Sequence, residues 1–421
     1  MKNLSKIKEA YSKFAKGYGK IDYSDIQPIQ FTASSNNRVR FNLVLRTFDK
    51  RDFFGGASTA CRLFLEFLSK SGAEGRIIVI ESEIKDTDSL ATLEGINIEL
   101  CRPSEEPNSK MSIVAIPPKY RIDGCLSVRD TDIFIYTLWK TKIVFRDINN
   151  FRLKEWGSLI KDIYLIQDYE PGFYSWSTDF LLADSTYKGE DFIAIFNSSS
   201  LKDYFKHNNY KFFAEYCFEP TLNKRMKTIL ENNLEKIHRE NVFLLYGRPR
   251  IDRNCFALGL NGIKEFIKNN DLERDWKFYS IGVKHKDIKL GKGFTLVSKG
   301  KLSIEDYARL LLKSKVGLSL MCSPHPSYPP LEMSSFGVFT VTNDFICKKM
   351  TGYNSNIISL DRVDFSTVSN AITIAFEKSK AGNYSVDNTY TSGTSDGISN
   401  LIDSIIGNYY KEILDHEDFG Y

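Results

Sequence analysis

The chain is poor in the residues that build metal centres and covalent frameworks. Its 421 residues include five histidines and seven cysteines. The histidines (His207, His238, His285, His325 and His416) never fall at H-x-x-x-H spacing, so a histidine-based metal site is not expected. The cysteines (Cys61, Cys101, Cys125, Cys217, Cys255, Cys322 and Cys347) are odd in number, scattered and never in C-x-x-C spacing. That argues against a disulfide framework or a zinc site and for a reducing compartment. No apolar run approaches the roughly 20 residues needed to cross a bilayer. Lysines interrupt every apolar run near the N-terminus, so no signal-peptide core is read there and a cytoplasmic location is expected. A formal net charge of +4 is too small to make nucleic acid the main partner, although it permits a locally basic site. No short-period repeat and no low-complexity linker is visible.

What remains is the composition of a globular protein, 42% hydrophobic, 13% aromatic and 26% charged. The length exceeds one ordinary core and predicts two domains. Strand and helix signals alternate, which predicts an α/β fold with mostly parallel sheets. Near-continuous apolar runs mark strands covered on both faces: Phe41–Arg46, Arg76–Ile80, Asp132–Thr137, Ile163–Gln167 and Phe192–Asn197. A second series follows, with Asn241–Tyr246, Lys277–Ile281, Phe294–Val297, Val316–Met321 and Phe339–Thr342. Helices are expected over Ser58–Ser69 and Asn261–Asn269, and a closing helix over Leu401–Leu414. The expected organisation is a first Rossmann-like domain over 1–215, a second over 216–400 and a closing C-terminal segment over 401–421. Residues 1–20 read as an amphipathic helix, with Leu4, Ile7, Tyr11 and Phe14 on one face and lysines around it. Two uses are open for it, packing on its own domain or peripheral contact with an anionic membrane surface.

Several loops carry the residues that chemistry would need. In Ser323–Met333 a proline-rich loop follows a strand and opens into a helix near Leu331, with Glu332 in its first turn. Prolines at a helix start remove donors that lack intrahelical partners anyway, and the remaining N–H groups suit a phosphate or diphosphate. Gly55 and Gly56 follow the first strand and let a phosphate or sugar approach the backbone; a plain tight turn explains them equally. Arg248, Arg250 and Arg253 follow the strand ending at Tyr246, and strand carboxyl ends face the ligand crevice of open α/β sheets. Arginines there present charged, forked donors to phosphate oxygens. Lys299 and Lys301 follow the strand ending at Val297, ahead of a helix capped by Ser303. Two D-x-D patterns, Asp86-Thr87-Asp88 and Asp130-Thr131-Asp132, read as a turn and a strand boundary rather than metal sites. Gln167–Trp176 combines an amide, the carboxylates of Asp168 and Glu170, and aromatic rings, a mix suited to sugar faces and hydroxyls.

Taken together, Gly247-Arg248, Arg253, the lysine loop, and the strand–loop–helix reaching Glu332 and Gly337 resemble the donor half of GT-B glycosyltransferases. The segments IQDYEPGFYSWS, YGRPR, GKLSIEDYA and SPHPSYPPLEM are similar to the WsaF-type bacterial rhamnosyltransferases, related to glycosyltransferase family four. The similarity runs from about residue 38 onward, and SPHPSYPPLEM is its specific part. The resemblance implies two Rossmann-like domains across a cleft and sugar transfer from dTDP-L-rhamnose with retention and without a required metal or other cofactor. It implies that Arg248 and Lys301 neutralise the donor diphosphate, Tyr328 and the backbone through Leu331 cradle phosphate, and Glu332 receives the nucleoside sugar. Gly55 and Gly56 would lie against the sugar diphosphate from the other domain. Two departures stand out. The sugar-facing glutamate eight positions before Glu332 is Pro324, with His325 beside it in the donor loop, and the second cation after Gly-Arg is Arg253 rather than lysine.

The function expected is therefore a metal-independent glycosyltransferase using a nucleotide-sugar donor and a saccharide acceptor, lipid-linked or free, in bacterial surface polysaccharide synthesis. Asp168 and Glu170 are the candidates for acceptor contact and catalysis. Two other readings stay open at this stage: another donor, such as a uridine or guanosine diphosphate sugar, and a non-catalytic glycan- or nucleotide-sugar-binding component of an assembly complex.

Overall fold

The computed structural model describes residues 22–49, 55–84, 96–382, 384–386 and 396–415. The helix expected over 1–20 and the Asp86-Thr87-Asp88 pattern lie outside the described residues.

The first sheet has eight strands in the spatial order Ala214–Cys217, Phe192–Phe196, Asp162–Ile166, Asp132–Tyr136, Arg40–Leu45, Glu74–Val79, Met111–Ala115 and Glu99–Leu100. Every neighbouring pair in it is parallel. The second sheet has seven, in the order Ile288–Gly291, Phe294–Gly300, Lys277–Gly282, Val242–Gly247, Val316–Leu318, Phe339–Asn343 and Ile357–Leu360. Its edge pair Ile288–Gly291 and Phe294–Gly300 is antiparallel and its other pairs are parallel. A separate short ribbon pairs Gln30–Ala33 with Cys125–Val128.

Parallel strands need helical crossovers, and helices on both faces require strands that are apolar throughout. The strands Asp132–Tyr136, Asp162–Ile166 and Phe192–Phe196 are buried at every position. Their side chains alternate between two cores: Ile133, Ile135, Ile163 and Leu165 face one, while Phe134, Tyr136, Tyr164 and Ile166 face the other. The second sheet repeats the scheme, with Phe243 and Leu245 in one core and Val242 and Leu244 in the other. The edge strands escaped the sequence reading because two to four residues without a long apolar run carry little pattern.

The last described segment packs on the first half. Helix Asp396–Ile405, a π-helical turn at Ile406–Tyr410 and helix Lys411–Asp415 follow one another. Ile398, Leu401, Ile402, Ile405 and Tyr410 join the first-half core. The Tyr410 hydroxyl donates to the Lys161 carbonyl at 2.6 Å, and Lys70 pairs with Asp403 at 2.7 Å. Helix Asp396–Ile405 thus starts ahead of the helix expected from Leu401, and the strand Ala214–Cys217 carries the first sheet across residue 215.

Two carboxylates lie inside the first half. Asp132, from the second D-x-D pattern, is fully buried among Arg40 (Nε to Oδ1, 2.8 Å), Arg76 (3.4 Å) and the Asn42 amide (2.9 Å). Burial opposes its charge, and Arg40 and Arg76 overcome that and hold the carboxyl below the usual range. Asp132 is therefore a structural anion. Glu170 is 2% exposed and its Oε2 accepts a hydrogen bond from the Trp139 backbone N–H at 2.5 Å, at the start of helix Trp139–Ile143. This places the Glu170 side chain inside the first half rather than at a surface where an acceptor sugar would meet it. Burial pushes its carboxyl up to about 8.

Two predictions follow from these buried groups. Asp132→Ala strands two buried guanidinium groups and is expected to cost about 3–5 kcal/mol in urea unfolding, whereas a loss below about 1 kcal/mol contradicts the ion-pair account. Glu170 binds its proton more tightly folded than unfolded, so it contributes stability below about pH 4.5 that is lost as pH rises toward about 8. Glu170→Gln should thus gain in melting temperature over the unaltered protein between pH 5 and pH 9 (about the window set by those two values). A constant difference across that range counts against it.

Candidate functional site: the gap between the two sheets

The strand ends of both halves deliver polar loops to one gap. In the second half Val242–Gly247 runs directly into Arg248, which is half-buried beside Tyr246. Gly282 ends the neighbouring strand at φ +119°, where a Cβ would stand 2.8 Å from the Gly247 carbonyl oxygen, so this turn needs glycine. Phe294–Gly300 ends at Lys301, which is exposed, and Lys299 sits 4.4 Å over the Tyr279 ring. Lys301 and Arg248 thereby belong to the same carboxyl edge of the sheet.

The proline loop is built more tightly than its sequence suggests. Its helix spans Tyr328–Ser335, three residues earlier than the start expected near Leu331, with Pro329 and Pro330 in the first turn. Ser327 precedes it at φ 69°, ψ 145°, a region that side chains rarely adopt. The loop holds itself: the His325 N–H donates to Ser323 Oγ at 3.0 Å, and the Ser327 N–H donates to His325 Nδ1 at 3.0 Å. Burial, with the Lys348 and Arg253 charges, lowers His325 to about 3, so the ring is neutral. Because Nδ1 accepts, the ring proton is on Nε2, a buried atom with no hydrogen-bond partner among the described residues. Leu331 is fully buried in the core with Met333, which leaves its backbone as the part able to meet a ligand. Burial lifts the Glu332 carboxyl to about 7, with the Tyr307 hydroxyl as the neighbour that opposes the rise.

The first half meets this loop directly. Asp168 follows the strand Asp162–Ile166 and accepts from Tyr169 N at 2.9 Å and from Ser323 Oγ, across the gap, at 2.5 Å. Arg253 Nε lies 3.8 Å from Asp168 Oδ2, and its guanidinium lies 3.8 Å over the Phe173 ring. Burial pushes Asp168 upward, and Arg253 and Ser323 pull against it. Ser200 Oγ donates to the Pro324 carbonyl at 2.9 Å. The Tyr328 hydroxyl has Thr59 and Asn197 as neighbours, while burial raises its pKa. Gly55 caps helix Gly56–Ser71 at φ 52°, and a Cβ on Gly56 would stand 3.0 Å from the Gln167 side-chain oxygen. The glycines and the Gln167–Asp168 loop are therefore neighbours.

Asp168, Arg253, Ser323, His325 and Tyr328 are thus gathered at the junction, Arg248, Lys301 and Glu332 line the second half's contribution, and Gly55 and Gly56 lie in the first half. Lys348 was not legible in the sequence. It is fully buried, donates to the Met321 carbonyl at 2.9 Å, and lies near enough to Asp168 and His325 to shift both. Burial depresses it to about 8 against the pull of Asp168. It belongs to a small Phe345–Lys348 bridge, which no motif marks. Ser323 lay inside the quoted motif, but its bond across the gap needed the fold. Among the described residues no group of three histidine, cysteine or carboxylate side chains is placed to hold a metal ion.

Comparison with known proteins fits this geometry. An α,α-trehalose-phosphate synthase (UDP-forming) from Burkholderia vietnamiensis superposes at TM-score 0.58 and 10% identity, over 92% of this chain and 100% of that one. Sucrose-phosphate synthase from Thermosynechococcus elongatus gives 0.55 at 12% identity, over 90% and 100%. Anabaena HepE in complex with UDP-glucose gives 0.52 at 10% identity, over 90% and 99%. These likenesses show the fold, which is GT-B. In sequence, 183 residues are 32% identical to the O-antigen biosynthesis protein RfbC of Myxococcus xanthus, which is 43% of this chain and 14% of that relative's length. The WsaF N-terminal domain matches residues 40–199 and the WsaF C-terminal domain matches residues 241–373. With both domains matched in order over most of its length, on the fold just described, this chain belongs to the WsaF family.

Proposed function

We propose that the protein is a glycosyltransferase of bacterial surface polysaccharide assembly that moves L-rhamnose from dTDP-L-rhamnose to a saccharide acceptor. The observation that carries this reading is the convergence, on a GT-B fold, of Arg248, Lys301 and the Tyr328–Ser335 helix start at one strand edge, opposite Asp168. In such a transfer the bond from the anomeric carbon to the diphosphate oxygen breaks and a bond to the acceptor oxygen forms. The leaving nucleoside diphosphate gains negative charge, and fixed cations with helix N–H groups stabilise it. Arg248 and Lys301 provide that charge without a divalent cation in this reading. Glu332 accepts the free hydroxyl of the nucleoside sugar, and Asp168 faces the acceptor hydroxyl. Retention of configuration is proposed from the resemblance of the donor loop. The acceptor we propose is a growing saccharide, lipid-linked and met at the inner face of the membrane. The competing donor is a uridine diphosphate sugar, since HepE, of like fold, was solved with UDP-glucose.

Purified protein incubated with dTDP-L-rhamnose and a rhamnosyl acceptor should release dTDP, in the presence of a chelator as well as without it. A thermal-shift comparison of dTDP-L-rhamnose, UDP-glucose and a guanosine diphosphate sugar identifies the donor, because a bound nucleotide stabilises by mass action. No shift with any of them and no transfer would reject the reading. Arg248→Ala is expected to weaken donor binding by about tenfold to a hundredfold, the scale of a lost charge-assisted partner. The Glu332 carboxylate accepts the nucleoside-sugar hydroxyl most strongly when ionised, and burial lifts it to about 7. Donor affinity should therefore fall as pH drops through about 7, and Glu332→Gln should flatten that dependence (isothermal titration at about pH 6 and 8.5, bracketing the value).

A further inference from the structure

Arg253 stands where the family resemblance puts a second cation for the donor diphosphate, yet residues of the first half hold it. Phe173 lies under its guanidinium at 3.8 Å, and Asp168 Oδ2 lies 3.8 Å from its Nε. That Nε is buried and makes no hydrogen bond among the described residues, so the contact with Asp168 is an ion pair without a hydrogen bond. Asp168 does not depend on Arg253 for its position. Tyr169 N and Ser323 Oγ both donate to its other oxygen, at 2.9 and 2.5 Å. An anion of one half thus sits against a cation of the other, at the loop that the donor reading assigns to the diphosphate.

We propose that Asp168 and the donor diphosphate compete for Arg253, so that an arriving diphosphate takes the guanidinium over and releases Asp168 toward the acceptor. The proposal rests on the sugar-transfer reading above. The exchange is favourable on chemical grounds. A partly exposed pair at 3.8 Å is a weak hold, whereas phosphate oxygens match the guanidinium fork and bind it in two places. After the exchange Asp168 keeps both hydrogen bonds and the nearby Lys348 charge, and loses the adjacent guanidinium. An acceptor hydroxyl then meets a carboxylate that is placed and no longer held by the guanidinium. While Arg253 is still on Asp168, the acceptor meets a neutralised group. Binding is therefore ordered, donor before acceptor, and Arg253 acts as the residue that communicates the first event to the second site. Phe173 is its positioning residue.

The test is calorimetric binding of dTDP-L-rhamnose, dTDP and UDP-glucose to the unaltered protein, Asp168→Asn and Phe173→Leu, with transfer rates measured alongside. Asparagine accepts the same two hydrogen bonds but carries no charge. Asp168→Asn should bind the nucleotide about threefold more tightly or better, the effect of removing a weak competing ion pair, while transfer falls by at least about tenfold. Phe173→Leu, at a ring 36% exposed, loosens Arg253 without removing a charge and should tighten the nucleotide about twofold. Unchanged or weaker nucleotide binding by Asp168→Asn overturns the competition and leaves the sugar-transfer reading standing. Should that variant fail to fold, unchanged or weaker binding by Phe173→Leu overturns it in the same way. An unaltered protein that binds none of the three nucleotides overturns both readings together.

Discussion

Parallel pairing is the constraint on which the rest depends. Strands that all run one way in a sheet put every carboxyl end on the same edge, and their crossovers bury both faces. Polar side chains are then costly inside and are displaced to the loops at that edge. Arg248 and Lys301 each follow directly on a strand, and Asp168 comes two residues after one. The functional groups converge because the topology leaves them no other common place. The carboxyl edge of an open sheet becomes a site before any particular ligand is considered.

The carboxylates show how sharply this sorting acts. Asp132 begins a strand, so it is buried, and two guanidinium groups and an amide neutralise it. Glu170 is two residues beyond Asp168 and turned inward, where burial drives it toward the protonated form. Asp168 and Glu170 are two positions apart in one loop, yet one faces a partner domain and the other a helix start. Sequence proximity does not distinguish them. Their partners do: Asp168 is held by Tyr169 N and Ser323, whereas Glu170 opens the 3-10 turn Glu170–Phe173 and accepts from Trp139 N.

That difference also marks how much could be read without the fold. Long apolar strands such as those at Phe41 and Ile163 in the first sheet and at Val242 and Phe339 in the second announced the two sheets, since burial on both faces writes a continuous apolar run into the chain. Arg248, Glu332 and the proline loop were legible because strand-end chemistry is local. The returning segment Asp396–Ile405 was read as a helix only from Leu401 onward, and nothing in its sequence says which half it packs on. Its apolar stripe fits any core. Lys348 was invisible for the same reason: a lysine after Cys347 reads as a surface residue until the loop carbonyl of Met321 is placed on its ammonium. Long-range pairing carries no local signature.

The donor loop itself is the clearest case of order built in before a ligand arrives. Ser327 adopts φ 69°, where a non-glycine residue costs about 1–3 kcal/mol. Glycine would remove that cost, but it would also leave the preceding loop freer to move. The chain instead holds the strained residue from both sides. His325 Nδ1 accepts its N–H, Ser323 Oγ accepts the His325 N–H, and Pro329 and Pro330 fix the next φ angles. The His325 ring can do this only while neutral, and its burial beside Lys348 and Arg253 keeps it so. Ser323 meanwhile ties the same loop to Asp168. The helix start is thus aimed by a chain of bonds that passes through both halves, so the loop that would hold a diphosphate and the carboxylate that would meet an acceptor share one mechanical support.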